Sequence, residues 1–258
     1  MNGICAELRR RQPVLALLGW AMLGTTLLSL LAMTLDPRSL NGVSVWVKPA
    51  KFAFSFCLWC WTLAWAWGAL TTTARTGLTA RIVLWGTVGA ALFEQVWVTF
   101  RAALGQRSHF ASDAIGQLMY QLMGVGAVTL VLMAAVLGVL VLLRGDTAQA
   151  RPWRLAVGLG LVIAGVMGGF TGASISAFQQ PYVGGTVGDA AGLAPFFWSR
   201  DGGDLRVAHF LGIHAMQAVP LLALLGAGTA GVVVGALGWA GLSIAAYMAA
   251  LAGVALSP

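Results

Sequence analysis

The chain has 258 residues, 59% of them hydrophobic and only 9% charged, against roughly 25% charged residues in an ordinary soluble domain. That balance excludes a water-soluble fold, and no polar stretch is long enough to build a separate soluble domain. The net charge of +7, from 15 Lys and Arg against 8 Asp and Glu, points to anionic lipid rather than nucleic acid, because the basic residues sit at the ends of apolar runs.

Apolar runs of about 20 residues cross a bilayer core as helices. Seven such runs predict an all-α integral membrane bundle of seven transmembrane helices forming a single domain over 1–258, with spans near 14–35, 52–70, 82–103, 115–143, 153–177, 207–227 and 230–256. The first span follows Arg9, Arg10 and Arg11 as a signal peptide would, but its apolar run exceeds the roughly 7–15 residues of a signal core, so it is expected to stay as a helix. Before the second, Lys48, Pro49 and Lys51 read as an interfacial helix start whose lysines could capture an anionic headgroup or substrate. Cys57 and Cys60 lie well inside the second span and read as core filling rather than as a redox pair. Glu94, in the third span, is the only carboxylate deep in any run; it shares a face with Arg101, and burial and neighbouring charge together set its protonation.

In the fourth span Asp113, Gln117, Tyr120, Gln121 and Gly124 follow helical spacing and form a polar stripe at one end. Gly165, Gly169, Ala173 and Ala177 repeat every four residues in the fifth, with Gly168, Gly172 and Ser176 alongside, a pattern that brings helix backbones close together. The Gly-rich connection 178–206 is longer than most loops, and Phe196, Phe197 and Trp198 are expected to lay it on the membrane surface. In the sixth span, Arg206, His209, His214 and Gln217 fall within a sector of about 140°. Such a sector is costly against lipid and should face the bundle interior.

Eight Lys and Arg fall in the segments that are inner if the N-terminus is inside, and seven in the outer ones, which together are the 15 of the chain. The Arg9–Arg11 triplet and the basic connection around Arg144, Arg151 and Arg154 favour an N-terminus in the cytoplasm and a C-terminus in the periplasm or outside the cell, in a bacterial inner membrane. All three histidines, His109, His209 and His214, then fall on the outer side. Three schemes fit them: axial ligands of a haem; a zinc or copper site completed by Asp204 or Asp113; or hydrogen bonding alone, with Glu94 as catalytic base or proton relay in a variant of that scheme. Walker A, G-x-S-x-G and H-E-x-x-H motifs are absent.

Arg107-Ser108-His109-Phe110 and the run from Gly203-Asp204-Leu205-Arg206 through His209-Phe210-Leu211-Gly212-Ile213-His214 resemble an uncharacterised family of bacterial multi-pass membrane proteins, as does Lys48-Pro49-Ala50-Lys51-Phe52. The resemblance implies a shared fold and a shared outer-face site, and supplies no activity. Seven helices with histidines at one face are also similar to membrane hydrolases related to alkaline ceramidases, although His209 and His214 are spaced by five rather than by the four of that family's H-x-x-x-H; b-type cytochromes are a further analogy. The leading expectation is an outer-face cavity lined by His109, His209, His214, Asp204, Arg101, Arg107, Arg206 and Glu94. It would bind haem or a transition metal for redox or metal-assisted chemistry on a small or lipid-soluble substrate. A proton-coupled transporter or channel is the alternative, and a subunit of a homo-oligomer or membrane complex a third reading.

Overall fold

The computed structural model describes residues 3–109 and 113–255; Phe110 of the first motif and Leu256 at the end of the last expected span lie outside them. Among the described residues nine helices form: α1 (Ile4–Arg11), α2 (Pro13–Leu35), α3 (Val47–Trp67), α4 (Thr72–Thr76), α5 (Leu78–Ala103), α6 (Ala114–Arg144), α7 (Arg151–Phe178), α8 (Leu205–Leu224) and α9 (Thr229–Leu251). Two short antiparallel ribbons accompany them: β1 (Ser39–Leu40) pairs with β2 (Val43–Ser44), and β3 (Tyr182–Val183) with β4 (Gly203–Asp204).

Six helices, α2 and α5 to α9, are long and apolar enough to cross a membrane. The chain is therefore a multi-pass helical membrane protein. Of the seven expected spans the remaining one, α3, has 21 residues and is not among these six; Lys48 and Lys51 sit in its first turns. It begins at Val47 rather than near 52, since Pro49 in the first turn needs no amide partner.

The surface is inverted relative to a soluble protein. Large apolar side chains such as Leu28, Val96 and Leu237 are exposed, whereas the interior is rich in small residues including Ala16, Ala53, Ala64, Ala91, Ala134 and Ala164. Lipid offers no hydrophobic drive for helices to associate, so close backbone approach does the packing. Several hydroxyls in the helices return to the carbonyl four residues back, as Thr26 does to Met22 at 2.9 Å and Ser243 to Trp239 at 3.0 Å, which satisfies them without water.

α7 is central, packing along α6 and α8, while α2 packs on α3, α5 on α6 and α9 on α8. α3 joins α2 to α5. At one end of the bundle the link after α3 pairs with the link after α6: the Asp146 amide donates to the Ala69 carbonyl at 2.8 Å and the Thr71 amide to Arg144 at 3.1 Å. At the other end lie the β1–β2 link, the link from α5 to α6 and the long link from α7 to α8. Arg38 Nη1 donates to the Ala103 carbonyl at 3.0 Å and Arg107 Nη2 to Asn41 Oδ1 at 2.9 Å, tying the first two of these together.

Candidate functional site

At the second end, one arginine organises the long link from α7 to α8. Asp204 caps α8 by accepting the Arg206 amide at 3.0 Å, and the same carboxylate accepts Arg206 Nε at 2.9 Å, Nη2 at 2.7 Å and the Ser199 amide at 2.9 Å. Arg206 Nη1 reaches Asp189 at 2.7 Å, and Asp189 also accepts the Tyr182 hydroxyl at 2.7 Å. The β3–β4 register sets Tyr182 opposite Asp204, with the guanidinium 4.9 Å from the Tyr182 ring centroid. Burial pushes the Asp189 carboxyl up, but its bonds to Arg206 and Tyr182 outweigh that and hold it below the usual carboxylate range. Burial and the neighbouring Asp189 raise the Tyr182 phenol above its ordinary value. Asp204, expected as a metal ligand, thus has both oxygens committed to holding the link, and all three nitrogens of the Arg206 guanidinium take part in the same network. Asp189, Tyr182 and Ser199 complete this network, and no helical period or motif in the Gly-rich stretch singles them out.

A second arginine holds the link from α5 to α6. Arg101 Nη2 pairs with Asp113 at 2.7 Å and its Nε donates to the Arg107 carbonyl at 2.8 Å. Asp113 also caps α6, accepting the Gly116 amide at 2.8 Å. The bond from Arg101 comes first among the causes that keep the Asp113 carboxyl below its usual range. Arg101 does lie along the Glu94 face of α5, as the spacing implies, but its ion-pair partner is Asp113.

Glu94 is 3% exposed, and its Oε1 has no hydrogen-bond partner. A Cβ on Gly126 of α6 would stand 2.8 Å from that oxygen, so the carboxyl packs directly on the α6 backbone there. The charge acting on Glu94 is that of Lys48, which is half-buried and itself lies in the fields of Lys51, Asp189 and Arg206. Gln95 beside it donates to the Pro49 carbonyl at 3.3 Å and to Thr99 at 3.0 Å, fastening α5 to the start of α3. Lys51 reaches the Phe196 carbonyl at 3.2 Å, fastening α3 to the long link.

No protein-family model, curated protein or solved structure matches the chain. The site therefore has to be read from its own chemistry.

The three histidines occupy different niches. His109 has Nδ1 3.1 Å from Ser108 Oγ and stands edge-on between Phe52 and Tyr120, with ring centroids 5.8 and 5.7 Å away. Burial first, and then the Lys48 charge, hold its imidazole well below the usual range, so it is neutral at neutral pH. His209 Nδ1 lies 3.1 Å from Thr171 Oγ1, which donates its own proton to the Met167 carbonyl at 2.6 Å; the imidazole is therefore the donor at Nδ1. His214 Nδ1 lies 3.1 Å from Gln217 Oε1, while Gln217 Nε2 donates at 2.8 Å to Thr62, whose hydroxyl donates at 2.7 Å to Leu58. That chain fixes the amide and makes Nδ1 the donor again. Both α8 imidazoles accordingly keep Nε2 as the basic nitrogen. Thr171 and Thr62, which set these tautomers, look in sequence like ordinary membrane threonines.

Among the described residues no three His, Cys, Asp or Glu converge to hold a metal ion. Of the polar stripe on α6, Tyr120 meets Ser176 of α7 through their hydroxyls at 3.0 Å, and Gln117 and Gln121 are exposed. What the residues bring together in a polar layer near one end of the bundle is a buried carboxyl and a half-buried lysine, while the α8 imidazoles are oriented by separate partners on α7 and α8.

Proposed function

We propose that the chain is a seven-helix membrane protein that carries a small polar solute across the bilayer together with protons, with Glu94 as the proton-carrying group. The observation that supports this reading is the open coordination of Glu94. Asp204, buried as a fastening, has both oxygens bonded, whereas Glu94 Oε1 has no partner. A buried polar atom without a partner costs about 1–3 kcal/mol, and an ionisable group in such a place inside a membrane protein points to function. The contacts of α3 support a seventh crossing. Near its start Lys51 bonds the α7–α8 link, and at its end the Gly68 carbonyl accepts Gln149 of the α6–α7 link at 2.7 Å. The basic residues around Arg9, Arg81, Arg144 and Arg151 support a cytoplasmic location for the end of the bundle that holds Gly68 and Gln149.

The test is reconstitution into liposomes that hold a pH-reporting dye, with small carboxylates, amines and zwitterions added outside in turn. At least one class is expected to move the internal pH with the native protein and not with Glu94→Gln. Identical traces for the two proteins, or no response to any class, would remove Glu94 from this role.

A second reading has an observation of its own. His209 and His214 are each oriented through Nδ1 with Nε2 left as the basic nitrogen, the arrangement by which proteins hold haem or metal ligands. A Soret band or stoichiometric zinc or copper in the purified protein, reduced in His214→Ala, would establish it; a colourless, metal-free protein would sink it.

A further inference from the structure

Outside that layer, the lipid-facing side of α5 and α6 carries a groove in two parts. The deeper part, about 360 Å³, is apolar and lined by Leu92, Phe93, Val96, Trp97, Phe100 and Met119. The part nearer the bundle end, about 510 Å³, shares Trp97 and Phe100 with it and adds Arg101, Gln106, Arg107 and Asp113. The shared aromatics make the two one continuous channel, apolar toward the bilayer centre and polar at the level where α5 ends.

We propose that this groove seats one anionic phospholipid, an acyl chain along Leu92, Val96 and Phe100 and the phosphate at Arg107. The polarity gradient along the groove matches that of a lipid from tail to headgroup, and the two walls differ in how their cations are used. Arg101 is spent on Asp113 and the Arg107 carbonyl, with its guanidinium 5.4 Å from the Trp97 ring centroid, so it forms a fixed back wall. Arg107 is exposed and gives one nitrogen to Asn41; a guanidinium has five N–H donors, and the rest are open to a phosphate. Trp97 is itself anchored, its indole N–H donating to the Ser108 carbonyl at 3.2 Å, which keeps the groove wall in place without a lipid. Val96 and Phe100, beside it on α5, are exposed, as a surface meeting an acyl chain should be.

Native mass spectrometry of the delipidated full chain, titrated with phosphatidylglycerol or phosphatidylcholine of the same acyl chains, tests this. Phosphatidylglycerol should be retained about fivefold better, the effect of one basic residue at headgroup level, and Arg107→Ala should bring it down to the phosphatidylcholine value. Val96→Trp, which fills the apolar part, should lower retention of both. Both positions are exposed, so circular dichroism and elution volume should stay native. Equal retention of the two lipids by the native chain, unchanged retention in Arg107→Ala, or a dimer of the chain that Val96→Trp dissociates would overturn the assignment.

Discussion

The two most buried carboxylates of the polar end, Asp204 and Glu94, show how much a residue's neighbours decide. Asp204 is fully engaged, so its network is a stability element. Arg206→Lys keeps the charge but loses the forked geometry that reaches Asp204, Asp189 and Phe197 together. It is expected to cost about 2 kcal/mol, read as a lower melting temperature in detergent; an unchanged transition would show that the fork is dispensable. The same network should loosen in acid. Asp189 is held below the usual carboxylate range, so its contribution is complete above pH about 4, the ordinary aspartate value, and is lost as pH falls through its folded value. Protection across Tyr182–Asp204 in amide exchange should fall progressively as pH drops below about 4, and protection unchanged down to pH about 2 would contradict it. At this scale the sequence reading identified the arginines, histidines and Glu94 but not their partners. Spacing along a helix sets shared faces, and it put Arg101 on the face of Glu94. The chain then turns back after α5 and brings Asp113 to Arg101, a contact between elements that periodicity does not encode.

Among the elements, the small-residue row on α7 is legible as a packing surface, yet only part of it is used. A Cβ at Gly165 would stand 2.6 Å from the Val131 carbonyl of α6, whereas one at Gly169 would meet only a Val131 methyl at an ordinary 3.5 Å, and Ala173 is exposed. The repeat shows where close approach is allowed; how far the neighbour follows depends on the path of α6, which lies outside α7's own sequence. Gly165→Ala should therefore destabilise by about 1–3 kcal/mol through forced separation of α6 and α7. Gly169→Ala should be neutral or slightly stabilising, since alanine is the better helix former by about 1 kcal/mol. Thermal unfolding of the two variants in one detergent separates them, and equal melting temperatures would mean that this backbone approach is not rigid. The start of α3 was harder to read, because its lysines resemble a boundary while its proline is suited to the first turn of a helix.

For the whole molecule, the number of crossings decides whether the two ends of the chain share a side, and the orientation of the first decides which surface the polar layer faces. Six crossings would leave the two ends of the chain on one side; seven, with α3 included, separate them. The two lysines in its first turns keep α3 from reading as a plain apolar span, whereas its contacts run from the link after α7 to the link after α6. Cys5 offers a direct probe: it is exposed at the start of the chain, and Cys57 and Cys60 are buried, so a thiol reagent that cannot cross membranes reads one position. In intact bacterial cells whose outer membrane has been made permeable, Cys5 should stay unlabelled until the inner membrane is opened, and a protease tag after Pro258 should be cut from outside without that treatment. Labelling and cleavage from the same side would make α3 a helix that does not cross. Labelling of Cys5 from outside, with the tag protected, would keep seven crossings but turn the polar layer, Glu94 included, toward the cytoplasm.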